Sequence, residues 1–233
     1  MPAAALLLCA ASTWVMVTTV PQGQLFRKSH DGSRIDELEA RGTLAAPAAA
    51  VREVLLHPGK FEGVMRFLEA ERIVRAEACE PGANDLPGCK SVVFYNRMAP
   101  PLVSKRDYTI RVEISSDALA TGGTFHLGWT LANDLGPPPM NDVVRMPSNS
   151  GLWEIKADGD RSIFTYRLLT DPGGSLPAWI VDSANFSEVP RMLAALERAA
   201  TKLSDQRPAL KAPPVPPSAP ALLTPSPVRA ETR

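Results

Sequence analysis

Arg106, Tyr108 and His126 are the polar side chains whose spacing could place them where chemistry happens. Arg106 opens the run Arg106-Asp107-Tyr108-Thr109-Ile110-Arg111-Val112-Glu113-Ile114. In an extended strand Arg106, Tyr108, Ile110, Val112 and Ile114 share one face, and Asp107, Thr109, Arg111 and Glu113 share the other. A guanidinium on an apolar face needs a partner. It is either a cavity charge that anchors a ligand, or half of a structural salt bridge. His126, in Thr124-Phe125-His126-Leu127-Gly128-Trp129, alternates away from Phe125, Leu127 and Trp129. It reads either as a cavity polar group or general base, or as an ordinary strand histidine. His30 in a turn and His57 at a helix break are solvated positions. Arg97, Arg145 and Glu154 complete the acid/base candidates.

No GxSxG, HExxH, Walker A or GxGxxG pattern occurs. No CxxC or histidine cluster offers a metal site. The expectation is no catalytic residue, no metal and no cofactor. The chain has three cysteines. Cys9 lies in the apolar start. Cys79 and Cys89 bound Glu80-Pro81-Gly82-Ala83-Asn84-Asp85-Leu86-Pro87-Gly88, a run of turn residues between two strand-like segments. Paired strands bring such flanking cysteines within disulfide reach. The pair is a disulfide if the chain is exported, and two unrelated thiols if it stays in the cytosol.

With 25 Lys+Arg against 25 Asp+Glu, the chain lacks the basic surplus that displaces counterions from nucleic acid. No nucleic-acid partner is expected. At 233 residues and 45% apolar content it has one substantial core. Residues 1–11 are apolar and end in small side chains, like the core and cleavage region of an export signal that lacks its basic front. A lipobox around Cys9 fails, because Leu8 precedes the cysteine where a small residue belongs. A periplasmic or secreted location is the expectation, with a cytoplasmic one as the alternative. Residues 12–204 form the expected domain. Residues 205–233, centred on Pro213-Pro214-Val215-Pro216-Pro217, are too poor in large apolar groups to fold and read as a disordered tail.

The elements that must position these residues follow from periodicity. Segments 14–20, 24–29 and 34–44 are strand-like, and Asp31-Gly32 joins the last two as a hairpin. Pro47 opens a short helix carrying Val51, Val54 and Leu55, and His57-Pro58-Gly59 breaks it. Residues 61–68 read as a second short helix. Strands then follow at 71–79, 90–98, 105–115, 123–132, 142–146, 151–157 and 161–169. Gly173-Gly174 end the last, and Ser175 and Pro177 open a long helix to Leu203. Its apolar positions include Trp179, Ile180, Phe186, Val189, Met192, Leu193 and Leu196. The fold class is α+β, a curved antiparallel sheet wrapped around a long C-terminal helix, with two short helices after the third strand.

That order of elements resembles the START lipid-binding domain, the helix-grip fold of the wider Bet v 1-like (SRPBCC) group, in its bacterial form. Trp14 with Gln24-Leu25-Phe26-Arg27-Lys28 resembles the opening strands. Val51-Arg52-Glu53-Val54-Leu55-Leu56-His57-Pro58 resembles the helix and break after the third strand. Pro101-Leu102-Val103-Ser104-Lys105-Arg106-Asp107-Tyr108 resembles the family's P-x-x-x-R-D-aromatic start of a central strand. Gly151-Leu152-Trp153 and Gly174-Ser175-Leu176-Pro177-Ala178-Trp179 resemble later landmarks. The likeness spans about residues 12–203, and it departs at the front, where little or no helix precedes Trp14.

The resemblance implies a cavity for a lipid or sterol-like molecule, closed by the loop 98–103 and the final helix. Cavity and lid candidates are Met98, Leu102, Val103, Arg106, Tyr108, His126, Trp179, Ile180, Phe186 and Met192. For Arg106 the resemblance favours the salt bridge, because the Arg-Asp pair sits at the start of the strand. Pro190 interrupts the helix and marks a place for lid movement. The expected function is binding and carrying a hydrophobic ligand as a monomer, with transient membrane contact and no catalysis. A cyclase- or hydrolase-like enzyme on the same fold is one alternative. A module that recruits a partner through its Pro-rich tail is another.

Overall fold

A computed structural model describes residues 13–29 and 34–211. Residues 1–12 with Cys9, expected above to hold an export signal, the expected Asp31-Gly32 turn with His30, and the Pro-rich residues 212–233 lie outside the described residues. Ten strands make one sheet: β1 (Val15–Val20), β2 (Gly23–Lys28), β3 (Glu37–Leu44), β4 (Leu68–Cys79), β5 (Cys89–Met98), β6 (Lys105–Asp117), β7 (Thr124–Leu131), β8 (Val143–Arg145), β9 (Ser148–Asp158) and β10 (Arg161–Asp171). Their order is β1-β2-β3-β10-β9-β7-β6-β5-β4, and β8 pairs with β6. All pairs are antiparallel except β6 with β8. The sheet curves around the helix α2 (Ala178–Gln206), with α1 (Ala48–Leu56) beside it. This is the helix-grip arrangement.

The helix α1 forms where Ala48, Ala50, Val51, Val54, Leu55 and Leu56 present a buried stripe. It docks on α2, β9 and β10. In α2, Val189, Leu193, Leu196, Ala200 and Leu203 follow helical spacing and are buried. They join Phe125, Ile155 and Phe164 of the sheet in the core.

Four local expectations are corrected. Residues 61–67 are turns after a 3-10 segment, Pro58–Lys60, and form no second helix. Gly63 (φ +81°) and Phe67 (φ +65°) adopt left-handed backbone, which stops helical propagation. The Phe67 carbonyl instead accepts from Ala99 N–H and fixes the chain at the start of β4. Ser175 does not cap α2: Pro177 is the N-cap, and its carbonyl accepts from Ile180 and Val181. The Gly173-Gly174 turn leaves Ser175 two residues short of that position. At the other end α2 continues past Asp205 to Gln206. A 3-10 turn, Pro208–Lys211, follows, and its Leu210 packs against the core.

The fourth correction concerns β6. Alternation predicts one buried and one wet face, yet Asp107 and Thr109 on the second face are 1% and 0% exposed. Residues 133–146 fold back over them. Asn133 Oδ1 accepts from Thr109 N–H at 2.9 Å, and Asp107 C=O accepts from Met146 N–H at 3.0 Å. Gly136 makes this cover possible: a Cβ there would stand 1.9 Å from Thr109 Oγ1. Beneath the cover, Arg145 donates to both Asp107 oxygens at 2.7 and 3.0 Å, and Tyr95 Oη donates to Oδ2 at 3.2 Å.

Removing one member of such a buried, bidentate pair leaves an uncompensated charge. Asp107→Ala is expected to cost about 3–5 kcal/mol in urea unfolding. A loss of about 1 kcal/mol or less, the range of exposed pairs, contradicts this assignment.

Candidate functional site

Sheet and helix do not fill the space between them. A cavity of about 770 Å³ lies between the inner face of the sheet, residues 55–73 and the N-terminal half of α2. Its polarity is graded along β6. Arg106 and Tyr108 stand at one end, and Ile110 and Val112 continue the same face. Register sets the neighbours: Met98 beside Arg106, Asn96 beside Tyr108 and Phe94 beside Ile110. Glu71 pairs with Asn96 from β4. The polar end is therefore a strip of Glu71, Asn96 and Tyr108 with Arg106 at its edge; His57, Lys60, Asp85 and Glu188 also line the cavity, and most of the remaining lining is apolar.

On the far side Trp129, Trp153 and Tyr166 form an aromatic wall. Ring centroids are 6.0 Å apart for Trp129 and Tyr166, and 4.3 Å for Trp153 and Tyr166. Trp129 Nε1 donates to Asn149 Oδ1 at 2.9 Å. Gly151 gives Trp129 room, since a Cβ there would lie 2.4 Å from the ring. The Asn149 amide beside the Tyr108 hydroxyl acts to lower its pKa. Burial, then the nearby Glu71 carboxylate, pushes the Tyr108 pKa well above the usual tyrosine value. Burial, then Tyr108, does the same for Tyr166. Both hydroxyls therefore stay protonated at neutral pH and act as hydrogen-bonding groups. Burial, then Asp85, raises the Glu71 pKa, while Lys60 opposes the shift.

Six of the sequence candidates line the cavity: Met98, Val103, Arg106, Tyr108, Ile180 and Met192. The other four do not. Leu102 is fully exposed, because its left-handed backbone (φ +67°) turns it out while Val103 turns in. Trp179 is 72% exposed at the start of α2, one position off the inward stripe of Ile180 and Ala184. Phe186 packs against the apolar core. His126 lies on the outer face of the sheet, 3.4 Å from Glu154 Oε1, as its alternation with Phe125 and Leu127 requires.

His57 is not the solvated residue expected: it lines the cavity, with Nδ1 3.6 Å from Asp85 Oδ2. The remaining acid/base candidates, Arg97, Arg145 and Glu154, lie outside. Arg97 donates to Glu69 at 2.6 Å, and Arg145 holds Asp107. Arg106 makes no salt bridge among the described residues, a correction to the pairing favoured by the resemblance. Its neighbour Asp107 faces away and is bonded to Arg145 and Tyr95. Asn96, Trp129, Asn149 and Tyr166 are lining residues missing from the sequence candidates. Period-2 counting back from Met98 and forward from Phe125 finds Asn96 and Trp129. Cys79 and Cys89 oppose each other across β4 and β5 and are joined by a disulfide, with Cα atoms 3.9 Å apart.

Solved structures share this architecture. A STAR-related lipid transfer protein from Xanthomonas axonopodis (fragment 25–204) superimposes at a TM-score of 0.65. It is 22% identical, over 80% of this chain and 98% of that one. Human STARD10 gives 0.68 at 16% identity, over 84% and 76% of the two chains. Human StAR-related lipid transfer protein 5 gives 0.66 at 17%, over 82% and 87%. The chain has the START fold. No family model matches the sequence, and no curated protein is a significant match.

An unfilled cavity tolerates added volume where a packed core does not. Ile110→Trp is expected to weaken uptake of an apolar dye such as Nile red by about tenfold, or about 1.4 kcal/mol. The thermal unfolding midpoint is expected to hold. Unchanged dye affinity in the folded variant contradicts the assignment of this space as the binding site.

Proposed function

We propose that the protein holds one lipid-like molecule in the cavity and carries it without altering it. One observation carries this reading: a 770 Å³ space with mainly apolar walls, from which His126, Glu154, Arg97 and Arg145 are all turned away. Transfer of acyl CH₂ groups from water into such walls is favourable by about 0.8 kcal/mol each, so few polar contacts are needed. The cavity tyrosines are neutral, and Asn96 and Asn149 do not titrate. His57 and Asp85 pair with each other at 3.6 Å in the lining, and no serine, threonine or cysteine hydrogen-bonds to either among the described residues.

The loop 98–103 and the first turns of α2 act as the gate. Val103 and Ile180 line the cavity, and the adjoining Leu102 and Trp179 offer apolar side chains to solvent. Such exposed groups beside an opening suit brief contact with a bilayer during loading. Within α2, Pro190 cannot donate to the Phe186 carbonyl, which loosens the helix between its cavity half and its core half. We place the protein in the periplasm or outside the cell on the Cys79–Cys89 disulfide, a bond that persists in oxidising compartments.

Purified protein is expected to move a fluorescent lipid from donor to acceptor vesicles, with its mass unchanged. His126→Gln is expected to transfer at the wild-type rate, since that ring never meets the ligand. Conversion of the bound lipid to a new species overturns the carrier reading in favour of an enzyme. The double substitution Leu102→Asp and Trp179→Asp should slow vesicle transfer by about tenfold, or about 1.4 kcal/mol, and spare stability, because both side chains are exposed. An unchanged transfer rate removes these residues from the gate.

A further inference from the structure

Arg106 is 6% exposed and lines the cavity. A guanidinium carries five N–H donors and stays charged at neutral pH. Here one hydrogen bond is made, from Nη1 to the Ser104 carbonyl, and Nε is enclosed with no partner. No carboxylate pairs with it among the described residues. Burial alone acts on its pKa, lowering it, with no acidic neighbour to raise it.

The contrast with the other arginines is informative. Among the described residues Arg72, Arg161 and Arg198 also lack a carboxylate partner, and all three are exposed. The rest are paired, from Arg34 with Asp171 to Arg145 with Asp107. Arg106 alone combines burial with an unpaired charge. Such a group is costly in the empty protein and is satisfied when an anion arrives. Beyond this end, Ile110 and Val112 continue the same face, and from Arg106 to Val112 the strand covers about 20 Å. One charged end and one long apolar end describe an amphiphile with a single acidic head.

We propose that Arg106 is an anion-recognition residue and that the cavity takes an amphiphile with an acidic head group, a carboxylate or a phosphate. This rests on the carrier reading above and names its ligand class. The guanidinium fork donates to two oxygens of the head, a planar match that an ammonium does not reproduce. The apolar tail then lies along Ile110 and Val112 against the aromatic wall.

Competition by native mass spectrometry on the delipidated full chain tests this. Two equimolar pairs are offered: palmitic acid with hexadecanol, and dioleoylphosphatidic acid with dioleoylglycerol. The wild type is expected to prefer the acidic member of at least one pair by about tenfold. Preference in the first pair assigns the site to a free acid, and in the second to a phospholipid head. Arg106→Met should bring that pair close to equal occupancy, and Arg106→Lys should keep only part of the preference. Equal occupancy of both pairs in the wild type overturns the proposal and leaves the carrier reading intact. So does an undiminished preference in folded Arg106→Met. If that variant does not fold, Arg106→Lys and the wild-type comparison decide, and full preference in Arg106→Lys counts against the fork. Binding of no member of either pair overturns both readings.

Discussion

Asp107 is bound by two hydrogen bonds from Arg145 and one from Tyr95, beneath a cover closed by Asn133 and Gly136. Side chains alternate along a strand, so fixing Asp107 on the outer face fixes Arg106 and Tyr108 on the inner one. The polar end of the cavity thus depends on an ion pair that never touches the cavity. The short parallel strand β8 belongs to the same device. It lies against the start of β6, in register with Lys105, Arg106 and Asp107, and delivers Arg145 to its partner.

The cavity itself follows from how α2 divides its work. Its C-terminal half buries Leu193, Leu196, Ala200 and Leu203 against α1 and the sheet, and that packing holds the helix in place. Its N-terminal half offers Ile180, Val181 and Ala184 to a space the sheet leaves unfilled. A natural core leaves few voids larger than a water molecule, because empty volume forfeits dispersion contacts. A void of this size, bounded by elements anchored elsewhere, forfeits those contacts unless it is filled. Pro190 falls between the two halves, so the anchored half need not move when the other does.

Much of this was legible in the sequence. The order of the strands, the final helix and the inward row of Arg106, Tyr108, Ile110 and Val112 follow from periodicity, and so does the outward turn of His126, although His126 stands among the cavity candidates. Cys79 and Cys89 stand at the ends of a turn-rich segment that brings them face to face. Other features depend on contacts distant in sequence. Nothing local says that residues 133–146 cover Asp107 and Thr109, so the second face of β6 reads as wet. Leu102 and Val103 are equally apolar, and only a left-handed backbone turns one out and the other in. On α2 nearly every turn carries apolar residues, so the cavity-facing stripe cannot be told from the core-facing one without the sheet. The resemblance favours a structural salt bridge for Arg106, but no loop or neighbouring carboxylate reaches it among the described residues, and Asp107 on the opposite face is held by Arg145.

The claim that the cavity carries an unaltered amphiphile is tested most directly on protein taken from the cells that make it. Native mass spectrometry should show one additional small molecule per chain, released on unfolding. The released species should match, in mass and fragmentation, an acidic lipid present unmodified in the same cells. A protein that emerges empty and takes up no lipid from a total extract of those cells, or one that holds a species formed only in its presence, contradicts the account.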